Sequence, residues 1–190
     1  RDVAFAAAGD GGVRFTLAGP NHYVFAVAGR RYYFWVDREA ATVAPPGAHV
    51  VKAGDGRGDG WLAARLAAAA PAAISLGAGV HESGQVSVPA GAHLFLEAGA
   101  VLRFAGPTPD DDMAAFLTLR GDGATVSGAG TLDANGFHGR HLFAENASSL
   151  ALSTVFFKGS RGWGVHLRRC TNVTLADVKI FSGADGVDPD

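Results

Sequence analysis

The sequence predicts an all-β chain built around a parallel β-helix, with a small antiparallel β module ahead of it and one short capping helix. Three observations carry that prediction. From residue 72 onward the chain breaks into short strands of period-two alternation, separated by Gly, Asn, Asp and Ser. The apolar positions of those strands return after about 23 residues, as they do in a solenoid whose coils stack on one another. Finally, 190 residues with 48% hydrophobic and 18% charged side chains and 27 Gly favour tight turns and buried strands over disorder.

Composition also excludes several functions. Cys170 is the single cysteine, so no disulfide scaffold forms within the chain. Lys and Arg number 16 against 18 Asp and Glu, a balance unsuited to a nucleic-acid partner. No apolar run approaches the roughly 18 residues that a membrane span needs. Gly54-Asp-Gly-Arg-Gly-Asp59 is Gly-rich but lacks the Gly-Lys-Ser/Thr of a phosphate loop, and no cofactor is expected. A monomer is the expected state.

In chain order, residues 1–44 hold three strand-like runs, Val13–Leu17, Tyr23–Val27 and Arg31–Val36, parted by turn signals at Ala18-Gly-Pro-Asn21 and Ala28-Gly29. They read as a small antiparallel β-sandwich-like module. Residues 45–71 form a linker and the capping helix: Pro45-Pro46-Gly47 marks the boundary, and Trp61–Ala70 carries Trp61, Leu62, Arg65 and Leu66 at helical spacing. Asp59 is the predicted N-cap, and Pro71 ends the helix. Residues 72–190 read as N-terminal coils of the β-helix. Its predicted strands are Ala73–Leu76, Val86–Val88, Leu94–Leu96, Val101–Phe104, Phe116–Leu119, Thr125–Ser127, Leu142–Ala144, Leu150–Leu152, Val155–Phe157, Val165–Leu167, Val173–Leu175 and Val178–Ile180.

The repeat sets the register. Leu142 falls on Val165, Ala144 on Leu167, Leu152 on Leu175 and Phe157 on Ile180, apolar in every case. The coil from Phe116 to Leu132 fits with a slightly longer offset. In such a solenoid, equivalent side chains on neighbouring coils lie about 5 Å apart on a long outer groove. Carboxylates there can be spaced for acid–base work on a linear polymer, as cleavage of a glycosidic bond requires. A shift of one residue less lays His166 beside Asp188 in an outward row and Trp163 beside Asp185. Strict alternation turns Asp185 inward with Val187, whereas Gly186 lets the strand begin at Val187 and leaves Asp185 on a turn at the groove rim. Alternation alone favours Asp188 as the outward carboxylate.

Around these residues the sequence resembles glycoside hydrolase family 28, the polygalacturonase-like enzymes of the pectin-lyase-like right-handed parallel β-helix superfamily. Gly128-Ala-Gly-Thr-Leu-Asp133 is similar to a family turn, and Trp163-Gly-Val-His166 with Cys170-Thr-Asn-Val-Thr174 to the coil before the active site. Gly183-Ala-Asp-Gly-Val-Asp-Pro-Asp190 resembles the family's catalytic motif. Val88-Pro-Ala-Gly-Ala and Leu96-Glu-Ala-Gly-Ala-Val-Leu102 resemble the first coils of many such proteins. The resemblance implies that Asp185 is a catalytic carboxylate and that hydrolysis proceeds with inversion. It also implies a secreted or periplasmic protein, although no leader stands at Arg1. Gly183-Ala184 replaces the polar pair usual before that Asp, and the family's later motifs do not follow.

The expectations are therefore a piece of a longer enzyme, cut at the edge of its site, that hydrolyses a polysaccharide of the polygalacturonate kind. Asp185 is the catalytic candidate; Asp188, His166 and Trp163 are the substrate-binding candidates, and no metal is assigned. The piece alone is expected to be inactive. A turn-forming Asp185, a loop-packing Trp163 and an ordinary coil residue at His166 are the plain alternatives. Arg161, Arg168, Arg169 and Lys179 could make the groove basic or simply be solvated. Rival functions are a non-catalytic glycan-binding or structural β-helix, a dextranase-like hydrolase and a polysaccharide lyase. Asn146 and Asn172 match glycosylation sequons, and Asp110-Asp-Asp112 reads as a solvated loop.

Overall fold

The computed structural model describes residues 5–7, 13–15, 21–28, 30–36, 43–56, 58–69, 73–107, 109–183 and 186–189. The chain divides into two compact units, Arg1–Ala41 and Thr42–Asp190. In the first, β1 (Phe5–Ala7) pairs antiparallel with β2 (Val13–Phe15), and β3 (Asn21–Val27) with β4 (Arg30–Val36). Residues 16 and 17 of the predicted run Val13–Leu17 lie outside the described residues. Aromatic and β-branched side chains in Tyr32–Val36 suit an extended hairpin arm, and Ala28 in the turn takes the positive φ of 48° that reverses the chain.

The second unit is a parallel β-solenoid. It opens with β5 (His49–Val51) and α1 (Trp61–Ala69). The coils follow as β6 (Ala73–Leu76), β7 (Gly79–Ser83) and β8 (Val86–Pro89), then β9 (His93–Leu96), β10 (Ala100–Phe104) and β11 (Ala115–Arg120). Next come β12 (Thr125–Ser127), β13 (Thr131–Asp133) and β14 (Arg140–Glu145), and β15 (Ala151–Ser153), β16 (Phe156–Ser160) and β17 (Val165–Arg168). The last described coil is β18 (Thr174–Ala176), β19 (Lys179–Ser182) and β20 (Val187–Pro189). Stacking produces three parallel sheets: a first of β5, β6, β9, β12, β15 and β18, a second from β7 to β19, and a third from β8 to β20.

Alternation explains which residues turn inward. Leu94, Val126 and Leu152 line the first sheet's inner face, Leu102, Leu132 and Phe157 the second's, and Leu117, Leu142 and Val165 the third's, all at 0% exposure. Burying each such side chain contributes about 1.5–3 kcal/mol, so stability accumulates coil by coil. The register has the expected partners: Leu142 lies beside Val165, Leu152 beside Leu175 and Phe157 beside Ile180. Leu62 and Leu66, one helical turn apart, put the buried stripe of α1 on this core, against β6 and β8.

Strands β1 and β5 fall where the sequence predicts none, and three further details depart from the sequence expectation. β7, Gly-Val-His-Glu-Ser, is a strand that the sequence does not signal, because the residues it turns inward are polar. His81 and Ser83 pair with Leu102 and Phe104 of β10 and are buried, and His81 Nε2 satisfies its need at Gly77 O, 2.7 Å away. Thr131–Asp133, read as part of a turn, is strand β13, with Gly128 and Gly130 forming the corner ahead of it. Gly128 is required there: at φ 108° a Cβ would fall 2.0 Å from Leu96 O. Gly60, not Asp59, holds the N-cap position, since Gly60 O accepts the first helical bond from Ala64 N at 2.9 Å.

The turn from the third sheet to the first is a stacked ladder. Asn146 and Arg169, then Ser149 and Asn172, occupy equivalent left-handed positions with φ between 50° and 57°. Main-chain bonds run between coils from Gly91 N to Asp122 O (2.9 Å), Gly123 N to Ser148 O (2.9 Å) and Ser149 N to Thr171 O (3.1 Å). Asn172 Nδ2 donates to Ser149 Oγ at 3.1 Å. Cys170 packs against the core here as a small residue, and its thiol lies 3.4 Å from Arg168 O.

Candidate functional site

The opposite behaviour marks the turn from the second sheet to the third. Its connections are residues 84–85, 105–114, 134–139, 161–164 and 183–186, and the first four all differ in length. Unequal loops on equal coils create overhangs and recesses, and here they border the outer face of the third sheet. That face carries an outward row running Ser87, Thr118, Phe143, His166 and Asp188 on successive coils. A second row places Arg168 beside Glu145.

Arg140, the first residue of β14, organises the rim. Its Nη1 donates to Met113 O and its Nη2 to Met113 Sδ at 3.0 Å, which ties the 105–114 connection to the next coil. The same guanidinium lies 4.3 Å from the Phe143 ring centre and 5.3 Å from that of Trp163. Only 2% of Arg140 is exposed, so these contacts act on a largely desolvated cation, where cation–π attraction is strongest. His166 completes the group, its ring edge-on to Phe143 at 5.2 Å and to Trp163 at 4.9 Å.

The sequence-predicted residues fall in different environments. Asp188 and His166 share the outward row as expected, and Trp163 stands at its border. His166, however, is 2% exposed: Phe143 and Trp163 pack on it, so it supports the aromatic wall and does not line an open groove. Asp188 and Trp163 are partly exposed. Asp185 lies outside the described residues. Of the candidate basic residues, Arg168 has its charge matched by Glu145, whose Oε1 accepts from Arg168 Nε at 2.8 Å. That hydrogen bond from Arg168 holds the Glu145 carboxyl below its ordinary range.

Several functional-looking residues escaped sequence reasoning. Asp112 stands in the solvated loop that the sequence predicts, 82% exposed, and its Oδ1 also sits 2.8 Å from His138 Nδ1 on the following coil. Between them and Trp163 lies a recess of about 360 Å³, also lined by Met113, Gly139 and Gly162. The available signal was the long interruption at 105–114, which breaks the repeat. Asp133, on the outer face of the second sheet, is held by Lys158 Nζ at 2.9 Å, Arg103 Nε at 3.4 Å and Asn135 N–H at 3.0 Å. Burial pushes its carboxyl up, but the Lys158 hydrogen bond, the Asn135 amide and the two positive charges outweigh burial and hold it below the usual range. Among the described residues, no group of three or more His, Cys, Asp or Glu side chains is placed to hold a metal ion.

No protein-family model matches the sequence, and no curated protein matches it. Among solved structures, the chain is similar to a "putative glycosyl hydrolase" from Parabacteroides merdae, with 13% sequence identity and a TM-score of 0.48 over 74% of this chain and 85% of that one.

Proposed function

We propose that the protein hydrolyses glycosidic bonds in a polysaccharide laid across the outer face of the third sheet, with pectic polygalacturonate as the substrate class. The observation that carries this reading is the register of β17 and β20. His166 lies opposite Asp188, so the strand within the Gly183–Asp190 motif shares one sheet with Phe143 and pairs with β17, which begins two residues after Trp163. An aromatic wall next to a carboxylate-bearing strand suits a sugar polymer: the ring faces stack on apolar surface while the carboxylates work on the bond.

In this reading Asp185 is the catalytic carboxylate, placed by sequence two residues before β20. Inversion requires it to act with a second carboxylate about 6.5–9.5 Å away, one protonating the leaving oxygen and the other activating water. Asp188 and Trp163 bind the sugar on either side, and His166 holds the Trp163 and Phe143 rings in place. Arg120 on the third sheet is suited to a uronate carboxylate.

The test is release of reducing ends from polygalacturonate by the complete protein, wild type against Asp185→Asn, with folding followed by circular dichroism. The reading expects cleavage with anomeric inversion and a loss of at least a hundredfold in the variant. Full activity in Asp185→Asn contradicts it. Binding of the polymer without cleavage by the wild type would instead favour a glycan-binding β-helix.

A further inference from the structure

We infer that the recess between the 105–114 connection and Trp163 is a subsite for one hexopyranose ring, with Asp112 and His138 as the ligands of its hydroxyl groups. The inference rests on the glycan reading above and assigns a ring-binding place that the Asp185 motif does not include. A volume of about 360 Å³ lies within the range of small-ligand sites. What matters more is why the space is open.

Gly139 and Gly162 stack at equivalent corners of successive coils, and neither tolerates a side chain. A Cβ on Gly162 would fall 2.2 Å from Gly139 O, and one on Gly139 would fall 2.6 Å from Ala114 O. This part of the lining is therefore bare main chain. Trp163 supplies an aromatic surface, its position set by Arg140 at 5.3 Å and by the edge of His166 at 4.9 Å. Little ordering of the wall remains to be done when a ring arrives.

The rim is equally prepared. Asp111 Oδ1 accepts from Met113 N at 2.8 Å, Ala114 N donates to Asp111 O at 3.0 Å, and Ala114 O accepts from Arg140 N at 2.9 Å. These bonds hold the connection that carries Asp112. The Asp112 and His138 side chains are 82% and 56% exposed and sit 2.8 Å apart. A carboxylate and an imidazole joined in this way offer acceptor and donor positions to adjacent hydroxyls. A second carboxylate beside Asp112 is repelled, so a uronate ring enters with its carboxylate turned away from Asp112.

The experiment titrates the chain with tetragalacturonate and, separately, with cellotetraose by calorimetry. The inference expects the wild type to bind at least one of them. Asp112→Ala and His138→Ala each weaken that binding about fivefold to tenfold, and Trp163→Ala weakens it more than tenfold. Because Asp112 and His138 are exposed, their variants fold, and they carry the test even if the Trp163 variant does not. Unchanged affinity in both exposed variants, with binding lost in Trp163→Ala or Trp163→Leu, removes the subsite and leaves the glycan reading standing. Tighter tetragalacturonate binding by Asp112→Ala overturns the assigned orientation. Failure of the wild type to bind either tetrasaccharide overturns both the subsite and the glycan reading.

Discussion

The two ends of the third sheet are built on opposite terms. Where the chain leaves that sheet for the first, equivalent residues repeat: Asn146 with Arg169, and Ser149 with Asn172, share left-handed conformations and a ladder of main-chain bonds. Where the chain enters the third sheet, the connections at 105–114, 134–139 and 161–164 differ in length, and the recess beside Trp163 opens among them. A solenoid is stabilised by like stacking on like, so the uniform corner works as scaffold. The uneven corner gives up some of that regularity and gains a shaped surface with an aromatic wall, a buried cation and an exposed acid–base pair. Repetition identifies what holds the fold, and its interruption identifies where a ligand can be held.

The largest expected effect lies on the scaffold side. Leu152 is fully buried in the row beside the uniform corner, and Leu152→Ala should cost about 2–5 kcal/mol in urea unfolding. Oligosaccharide affinity of the molecules that remain folded should not change. A loss of affinity at full folding would show that the two corners are not separable.

Next comes pH, acting from the uneven side. His141 in β14 is enclosed by Phe116 and Phe157, and its ring nitrogens make no hydrogen bond of normal geometry. Burial lowers its pKa from 6.5 to about 3, against a partial opposing pull from Asp133 and the Leu132 main chain. Because the unfolded chain takes up this proton first, stability is full above pH 6.5 and falls as pH drops toward 3, by about 1.4 kcal/mol per unit. From pH 6.5 to 5 the His141 contribution to the loss is about 2 kcal/mol. His141→Leu should flatten the acid limb of a stability profile; an unaltered slope would contradict the assignment.

A smaller effect sharpens the scaffold side. Asn172 adopts φ 52°, where Asn is tolerated better than Ala, so Asn172→Ala should cost about 1 kcal/mol and Asn172→Gly close to nothing. Equal losses would mean that the Ser149 hydrogen bond, and not the backbone conformation, sets the choice. The smallest effect on folding belongs to Asp112→Ala, whose thermal midpoint should match the wild type although its sugar affinity falls.

The scaffold was legible in the sequence because its physics is periodic. The spacing of Leu142 and Val165, or of Phe157 and Ile180, carries the coil register directly, and helix α1 is legible from its Ala-rich composition and the Leu62–Leu66 spacing. Strand β7 was not legible, since His81 and Ser83 stand where apolar residues normally signal an inward row. The recess was hidden for a different reason. Asp112 and His138 come from different coils, and only the three-dimensional stack brings them to 2.8 Å. His166 shows the limit of alternation: it predicts the side of the sheet, but not that Phe143 and Trp163 would cover the ring.

The central claim is that ligand recognition belongs to the uneven corner, and nuclear magnetic resonance tests it most directly. Amide resonances of the isotopically labelled chain are followed during titration with tetragalacturonate and, separately, with cellotetraose. The account predicts that shifts concentrate in residues 109–114, 136–143 and 161–166, while residues 121–124, 146–149 and 169–172 stay still. Shifts centred on that second group, or none with either sugar, would contradict it.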